Sequence, residues 1–267
     1  MEARVAASNP DILVTVESSA LAFVTLNRPK QVNAVNLGMW RGLKGILHDL
    51  EQRAGVRAVV LTGAGGNFSA GADIKEFAQN RMGAEQGLMY EHYYVGAVEA
   101  VRACAKPTIA AVTGNCMGGA CALAMACDFR FADKTARFAI PAAKLGVVYG
   151  LPECTLLVAL VGVANAKRIL YSGDPIDAQE AHRIGLVDQL VEQPVTDAAV
   201  AYAKKLAANA PLSIAGSKCI LNSLAQGDAW ARQKEFLELV EGAVKSEDYK
   251  EGAKAFVEKR KPNFQGR

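Results

Sequence analysis

The sequence predicts an α/β fold in which strands and helices alternate through the first two thirds and helices alone follow. Three observations predict it. Two apolar, β-branched runs, "RAVVLTG" and "PTIAAVTG", are separated by a helical stretch, and that order implies a right-handed crossover with the strands parallel and adjacent. Each run leads into a glycine-rich loop, the position where parallel sheets bind ligands. Beyond about residue 193 the strand signals vanish, so residues 1–192 read as a sheet-containing core and 193–267 as a helical section that caps the sheet or mediates assembly. With 267 residues, 51% hydrophobic and 21% charged, the chain can bury a core as one large domain, or as one domain with an appendage.

The elements follow in order. "DILVTVE" and "ALAFVTLN" are short β-branched runs joined by a Ser-Ser turn, a hairpin. After the turn-like "NRPKQVNAVN", Trp40, Leu43, Leu47 and Leu50 recur at helical spacing, which predicts an amphipathic helix over about 37–53. "RAVVLTG" is a buried strand, "GAGGNFSAGADIKEF" a loop, residues near 85–104 a helix and "PTIAAVTG" the next strand. A helix over 118–127, short strands at "FRFA" and "RFAI", and a helix from near Gly150 repeat the strand, strand, helix unit. "VTDAAVAYAKKLAANA", "PLSIAGSKCILNSLA" and "AWARQKEFLELVEGAVKS" read as three closing helices.

Composition excludes several classes of function. A net charge of +3 is too mild and too dispersed for a nucleic-acid binder. Part of the basic excess sits in "EKRKPNFQGR", which reads as a solvated terminus. The start of the chain lacks an apolar signal core, and no run reaches the roughly 18 consecutive apolar residues of a membrane span, so a cytoplasmic protein is expected. Six cysteines without a C-x-x-C pair read as reduced core thiols, and His48, His92 and His182 are too scattered for a metal site. No G-x-S-x-G elbow marks a serine hydrolase.

The two glycine-rich loops are candidates for one site. In "SAGAD" the glycine lets the amide of Ala72 project, and in "CMGGA" Gly118 and Gly119 expose amides at a helix start. Two such amides can hold one developing oxyanion, each donor worth about 3 to 4 kcal/mol in a transition state. Either loop alone reads equally as a tight turn, and neither matches a phosphate-binding motif.

Taken together, "LNRPKQVNAVN", "LTGAGGNFSAGADIKEF", "AVTGNCMGGACALAMACD", "LGVVYG", "IGLVDQLV" and "EGAKAFVEKRKPNF" resemble, in this order, the crotonase or enoyl-CoA hydratase/isomerase superfamily, over residues 11 to 265. The resemblance implies a crotonase-like ββα superhelix with a helical C-terminal trimerisation region, assembled as a homotrimer or as a hexamer of two trimers. It implies a coenzyme A thioester as substrate and no prosthetic group. The oxyanion hole would be the backbone N–H groups of Ala72 and Gly119. Ala70, Asp73, Ile74 and Lys75 would belong to the loop against the bent coenzyme A, Arg28 and Lys30 would lie near its phosphates, and Lys259 would approach its nucleotide end.

One departure matters. Hydratases of the superfamily use two glutamates, and their positions fall at Ala122 and Ala142. An acid or base group contributes about 10² to 10⁴ in rate, so efficient hydration is not expected. Other proton carriers are Tyr149, which otherwise packs, and Glu153, which otherwise caps a helix. His92, Tyr93 and, more weakly, Glu76 complete the candidates. "KLGVVYG" and the tail are also similar to methylmalonyl-CoA decarboxylase, which keeps a tyrosine at position 149 but has histidine where this chain has Ala72 and an acid where it has Ala122. Decarboxylation, double-bond isomerisation and acyl-CoA binding without catalysis all remain open. The acyl pocket is expected to depend on the segment 78–95.

Overall fold

The hairpin predicted at the start forms as expected. In the computed structural model, which describes residues 3–5, 9–76, 84–192 and 194–267, β2 (Ile12–Val16) pairs antiparallel with β3 (Leu21–Leu26), and Val14 faces Val24. Strand β1 (Ala3–Val5) lines its outer edge. From β3 the sheet continues in parallel through β4 (Ala58–Gly63), β5 (Thr108–Val112), β7 (Phe129–Asp133) and β10 (Gln189–Val191). A smaller sheet joins β6 (Asn115–Met117), β8 (Arg137–Ala139) and β9 (Ile176–Asp177).

The central strands are apolar throughout because both of their faces are covered. On β4 and β5, Val59, Leu61, Ala110 and Val112 point into the main core, while Ala58, Val60, Ile109 and Ala111 point to the other side. There helix α6 (Val195–Ala207) lays Val195, Ala199 and Ala203 against them. The helical section therefore begins as a layer of the core.

On the main side, α1 (Leu37–Gln52) starts where the Asn36 side chain accepts a hydrogen bond from the Met39 N–H at 2.8 Å. It buries Met39, Trp40, Leu43, Ile46, Leu47 and Leu50, one face at helical spacing. Helix α2 (Ala84–Ala103) crosses from β4 to β5 and packs on α1, with Trp40 Nε1 donating to the Tyr90 hydroxyl at 2.9 Å. Helix α3 (Gly119–Ala126) buries seven of its eight residues, as a helix apolar on all sides must. Asp128, the first acid after the glycine pair, lies beyond its far end. There it accepts from the Thr108 N–H at 2.7 Å and from Lys218 Nζ at 2.8 Å, tying the helical section to the sheet.

Helix α4 (Leu151–Ser172) is long and apolar enough to match a membrane span by length and composition. It instead buries Glu153, Leu157, Val161, Ala166 and Ile169 within the fold. The short α5 (Ala178–Arg183) follows, and α7 (Pro211–Gln226), α8 (Gln233–Lys245) and α9 (Glu247–Val257) close the chain. Helix α9 has no counterpart in the sequence expectations. Ser246 starts it by accepting from the Tyr249 N–H at 3.0 Å, with Glu247 and Asp248 in its first turn. The terminal residues expected to be solvated are also held. Asp248, almost fully buried, accepts from the Gln265 and Gly266 N–H groups, and Arg57 donates to the Phe264 carbonyl.

Candidate active site

The two glycine-rich loops are sewn together edge to edge. The Phe68 N–H donates to Thr113 O, Ser69 N–H to Asn115 O and Met117 N–H to Ser69 O, at 2.7 to 3.0 Å. On the other flank the Val35 N–H donates to Gly71 O at 2.8 Å and Asp73 N–H to Val35 O at 3.0 Å. In a parallel bridge of that kind the residue between the two bonded ones turns its own N–H and C=O the opposite way. Ala72 is that residue, so its N–H faces away from Val35.

The second loop makes its own amide available. Gly118, at φ 51° and ψ −117°, a conformation open to glycine alone, spends its N–H on Ala139 O at 2.8 Å. Gly119 then opens α3, where a first-turn N–H has no intrahelical acceptor. Among the described residues neither the Ala72 N–H nor the Gly119 N–H makes a hydrogen bond. Both residues line one cavity of about 210 Å³. Two unpartnered donors in one small cavity can hold an oxyanion.

The remaining wall is mostly apolar, with Ile140, Ala142, Leu145 and Val148 on one side. Of the two alanines at the positions where the resemblance implies acids in hydratases, Ala142 lines the cavity, whereas Ala122 is fully buried in α3. Tyr149 lines it as well, its hydroxyl donating to Gly118 O at a long 3.4 Å. Tyr94 and Glu91 on α2 complete it. Tyr94 packs edge-on to Trp40 with 5.1 Å between ring centroids, and a β-carbon at position 119 would stand 3.2 Å from Tyr94 Cε2. Burial pushes the Tyr94 and Tyr149 phenols well above their ordinary ionisation range, with the nearby Glu153 charge adding to both.

Glu153 lies behind the two tyrosines. No solvent reaches it. Among the described residues neither carboxyl oxygen has a hydrogen-bond partner, and Oε2 sits 2.5 Å from where a side chain at Gly150 would begin. Burial raises the Glu153 pKa, and the charge of Glu91 adds to this against the opposing influence of its own backbone and the Tyr94 hydroxyl.

The other predicted residues are spread around this centre. Ala70 and Ile74 line the cavity beside Ala72, and Ile74 is exposed. The Arg28 guanidinium is engaged inside the protein, donating to Ala34 O at 2.6 Å and to Asp73 Oδ2 at 2.8 Å. Burial alone would raise the Asp73 carboxyl, but Arg28 outweighs it and the pKa is lowered. That pair clamps the Ala72 loop. Lys30, Lys75 and Lys259 are exposed and, among the described residues, have no ion-pair partner. Glu76 accepts from the Leu37 N–H at 2.7 Å and so caps α1.

On α2, residues 90, 91 and 94 fall on the cavity face, so His92 and Tyr93 turn away, the latter under the Arg41 guanidinium. Residues 78–83 of the segment expected to shape the pocket lie outside the described residues. Sequence reading missed Tyr94 and Glu91. Their helical spacing from Tyr90 was a signal, but nothing in the sequence says which face of α2 meets the glycine loops. The thiols of Cys116 and Cys127 are no nucleophiles, because burial raises the first well above its ordinary range and the second to about 12.

Comparison with known proteins gives the family. A family model described as enoyl-CoA hydratase/isomerase matches residues 16–267. The chain belongs to the enoyl-CoA hydratase/isomerase family. It is 36% identical over 251 residues to a short-chain-enoyl-CoA hydratase of Clostridium acetobutylicum, covering 93% of this chain and 95% of that one. Among solved structures, an enoyl-CoA hydratase/isomerase family protein from Hyphomonas neptunium superposes with a TM-score of 0.92 at 32% identity, covering 98% of this chain and 100% of that one. A Magnetospirillum magneticum protein described as an enoyl-CoA hydratase/carnithine racemase gives 0.91 at 39% identity, covering 97% of each. The crotonase-like ββα fold and the helical C-terminal region are thereby shown. Family members act on coenzyme A thioesters without a prosthetic group.

Proposed function

We propose that this family member acts on short acyl-CoA thioesters through an enolate whose oxygen is held by the N–H groups of Ala72 and Gly119, and that it does not hydrate efficiently. The observation that carries the reading is the pair of unpartnered donors in one cavity, with alanine at 142, where a hydratase would present a carboxylate. An enolate gains most from those donors because its charge exceeds that of the ground-state carbonyl. The positive end of α3 adds to the same effect. Lys30, Lys75 and Lys259, without an ion-pair partner among the described residues, supply cations for the phosphates of coenzyme A, while Arg28 holds the Asp73 loop in place for them.

A double-bond shift is the first reading. Decarboxylation of a malonyl-type ester is the second, favoured by Tyr149, which reaches the cavity at the position where methylmalonyl-CoA decarboxylase keeps its tyrosine. The exposed apolar side chains Leu221, Leu224, Leu237 and Val240 on α7 and α8 support assembly as a trimer or a hexamer. Six free thiols suit the reducing cytoplasm.

A panel of crotonyl-, but-3-enoyl-, malonyl- and methylmalonyl-CoA, followed by mass spectrometry with calorimetry of binding, tests the proposal. The expected result is conversion of but-3-enoyl- or a malonyl-type ester with little hydration of crotonyl-CoA. Hydration at a rate ordinary for the family overturns the reading. Tight binding with every ester unchanged would instead make the chain an acyl-CoA binding protein.

A further inference from the structure

An enolate forms only if some group takes the proton that leaves carbon, and two backbone N–H donors cannot do so. Among the described residues that line the cavity, four side chains carry a group able to exchange a proton, Tyr90, Glu91, Tyr94 and Tyr149, and no Lys, Arg or His stands beside them. The three phenols are poor acceptors here. Tyr90 already accepts from Trp40 Nε1 at 2.9 Å, the Tyr149 hydroxyl donates to Gly118 O at 3.4 Å, and burial pushes the Tyr94 and Tyr149 phenols well above their ordinary ionisation range. Glu153 does not line the cavity. Glu91 does, and its position follows from the rotation of α2. Tyr94 abuts the turn that presents the Gly119 N–H, since a β-carbon at position 119 would lie 3.2 Å from its Cε2, and residues 91 and 94, three apart on a helix, are neighbours on one face. Glu91 is half-buried, which lets a carboxylate keep part of its hydration while it faces a ligand.

We infer that Glu91, from α2, is the base of an allylic double-bond shift, taking a proton from the α carbon of a β,γ-unsaturated acyl thioester and returning it to the γ carbon. The inference rests on the enolate reading above and names its reaction and its base. In the first step the α C–H bond breaks and a carboxyl O–H bond forms on Glu91, while the electron pair left on carbon spreads over the dienolate to the thioester oxygen held by the Ala72 and Gly119 N–H groups. In the second step that O–H bond breaks, a C–H bond forms at the γ carbon, and the α,β-unsaturated ester results. Nothing is consumed, and one carboxyl suffices because it both takes and returns the proton.

The charge of the wall separates this reaction from the others. Hydration calls on a second acid or base to handle a water, and among the described residues the wall offers no second carboxyl. A malonyl-type ester would bring its own carboxylate to a wall that holds a carboxyl and no cation, and like charges brought together oppose binding. A but-3-enoyl group carries no charge and meets only the apolar side chains Ile140, Ala142, Leu145 and Val148 and the base.

The experiment follows conversion of but-3-enoyl-CoA to crotonyl-CoA in D₂O by mass spectrometry, with calorimetry of butyryl-CoA and malonyl-CoA binding. Wild type is expected to convert, with deuterium entering the ester, and to bind malonyl-CoA more weakly than butyryl-CoA. Glu91→Gln should lower kcat about 10²-fold or more, leave butyryl-CoA affinity within about twofold, and tighten malonyl-CoA binding about tenfold as the like charge is removed. Glu91→Ala should lose conversion to the same extent and regain part of it when formate is added, because the small anion can stand where the carboxylate stood; a merely structural role gives no such rescue. Should Glu91→Gln fail to fold, Glu91→Ala with and without formate decides. Full conversion in either variant, or unchanged malonyl-CoA binding in Glu91→Gln, overturns Glu91 as the base and leaves the enolate standing. So does loss of butyryl-CoA affinity in step with kcat and without rescue. Deuterium uptake in wild type without a double-bond shift preserves the enolate and overturns this reaction, as does loss of malonyl-CoA carboxyl faster than the shift. Binding with neither conversion nor uptake overturns the enolate reading and the base with it.

Discussion

Replacing Gly71 by alanine separates the two donor loops by an amount that can be worked out. A β-carbon at Gly71 would stand 2.4 Å from Met117 O and 3.5 Å from Gly119 N, where β-carbons essentially never come within 3.0 Å of a neighbour. The loops must therefore part by at least 0.6 Å at the position that sets the distance between the Ala72 and Gly119 amides. At φ +89° the alanine is also strained, by about 1 to 2 kcal/mol. A displacement approaching 1 Å costs on the order of 10²-fold in rate, and loss of one oxyanion donor about 10²- to 10³-fold. Gly71→Ala should thus lower turnover of the converted ester about 10²-fold with a modest change in KM, and lower stability by a few kcal/mol at most. Gly227→Ala is the control, because Gly227 has φ +80° but no atom within 4 Å of a β-carbon. It carries the strain alone and should keep full turnover. Steady-state kinetics and thermal unfolding of both variants decide the matter. Turnover in Gly71→Ala within twofold of that in Gly227→Ala would refute the paired-amide reasoning.

Two further outcomes follow from the same geometry. Ala142→Glu places a carboxyl at the cavity wall and should raise hydration of crotonyl-CoA by tenfold or more, whereas Ala122→Glu buries a charge away from the cavity and should lower Tm without new activity; a spectrophotometric hydration assay and thermal unfolding check the pair. Asp73 has its pKa lowered by Arg28, so its stabilising contribution is present at neutral pH and is lost as pH falls through the folded-state value, below the ordinary 3.8. Asp73→Asn should therefore unfold more readily than wild type at pH 7, by about 1 to 3 kcal/mol, with the gap closing under strong acid; an equal gap at both pH values in denaturant titrations would count against the ion pair.

Much of the centre was legible in the chain. "SAGAD" and "CMGGA" mark amide-presenting turns because glycine is needed where φ is positive, and both follow apolar strands that parallel pairing places side by side. Tyr149 and Glu153 were named from their place before and within the first turn of α4. What was not legible is the company they keep. Glu153 reads as a cap until its burial behind Tyr94 is seen, and Tyr94 reads as one aromatic among several on α2 until the rotation of that helix is known. Arg28, which resemblance placed near phosphates, clamps Asp73 through a contact 45 residues away in the chain.

The sequence by itself determined the order of strands and helices, the parallel crossover and the two glycine turns, because periodicity and backbone freedom are local properties. It also carries the expectation that efficient hydration is lost, since alanine at 122 and 142 carries no proton wherever it lies. Only the tertiary structure decided which orphan amides share a cavity, which of the two alanines faces it, and which carboxyl lies buried without a partner. Those are facts of helix rotation and loop register, which depend on packing between segments far apart in the chain and leave no periodic trace in either segment alone.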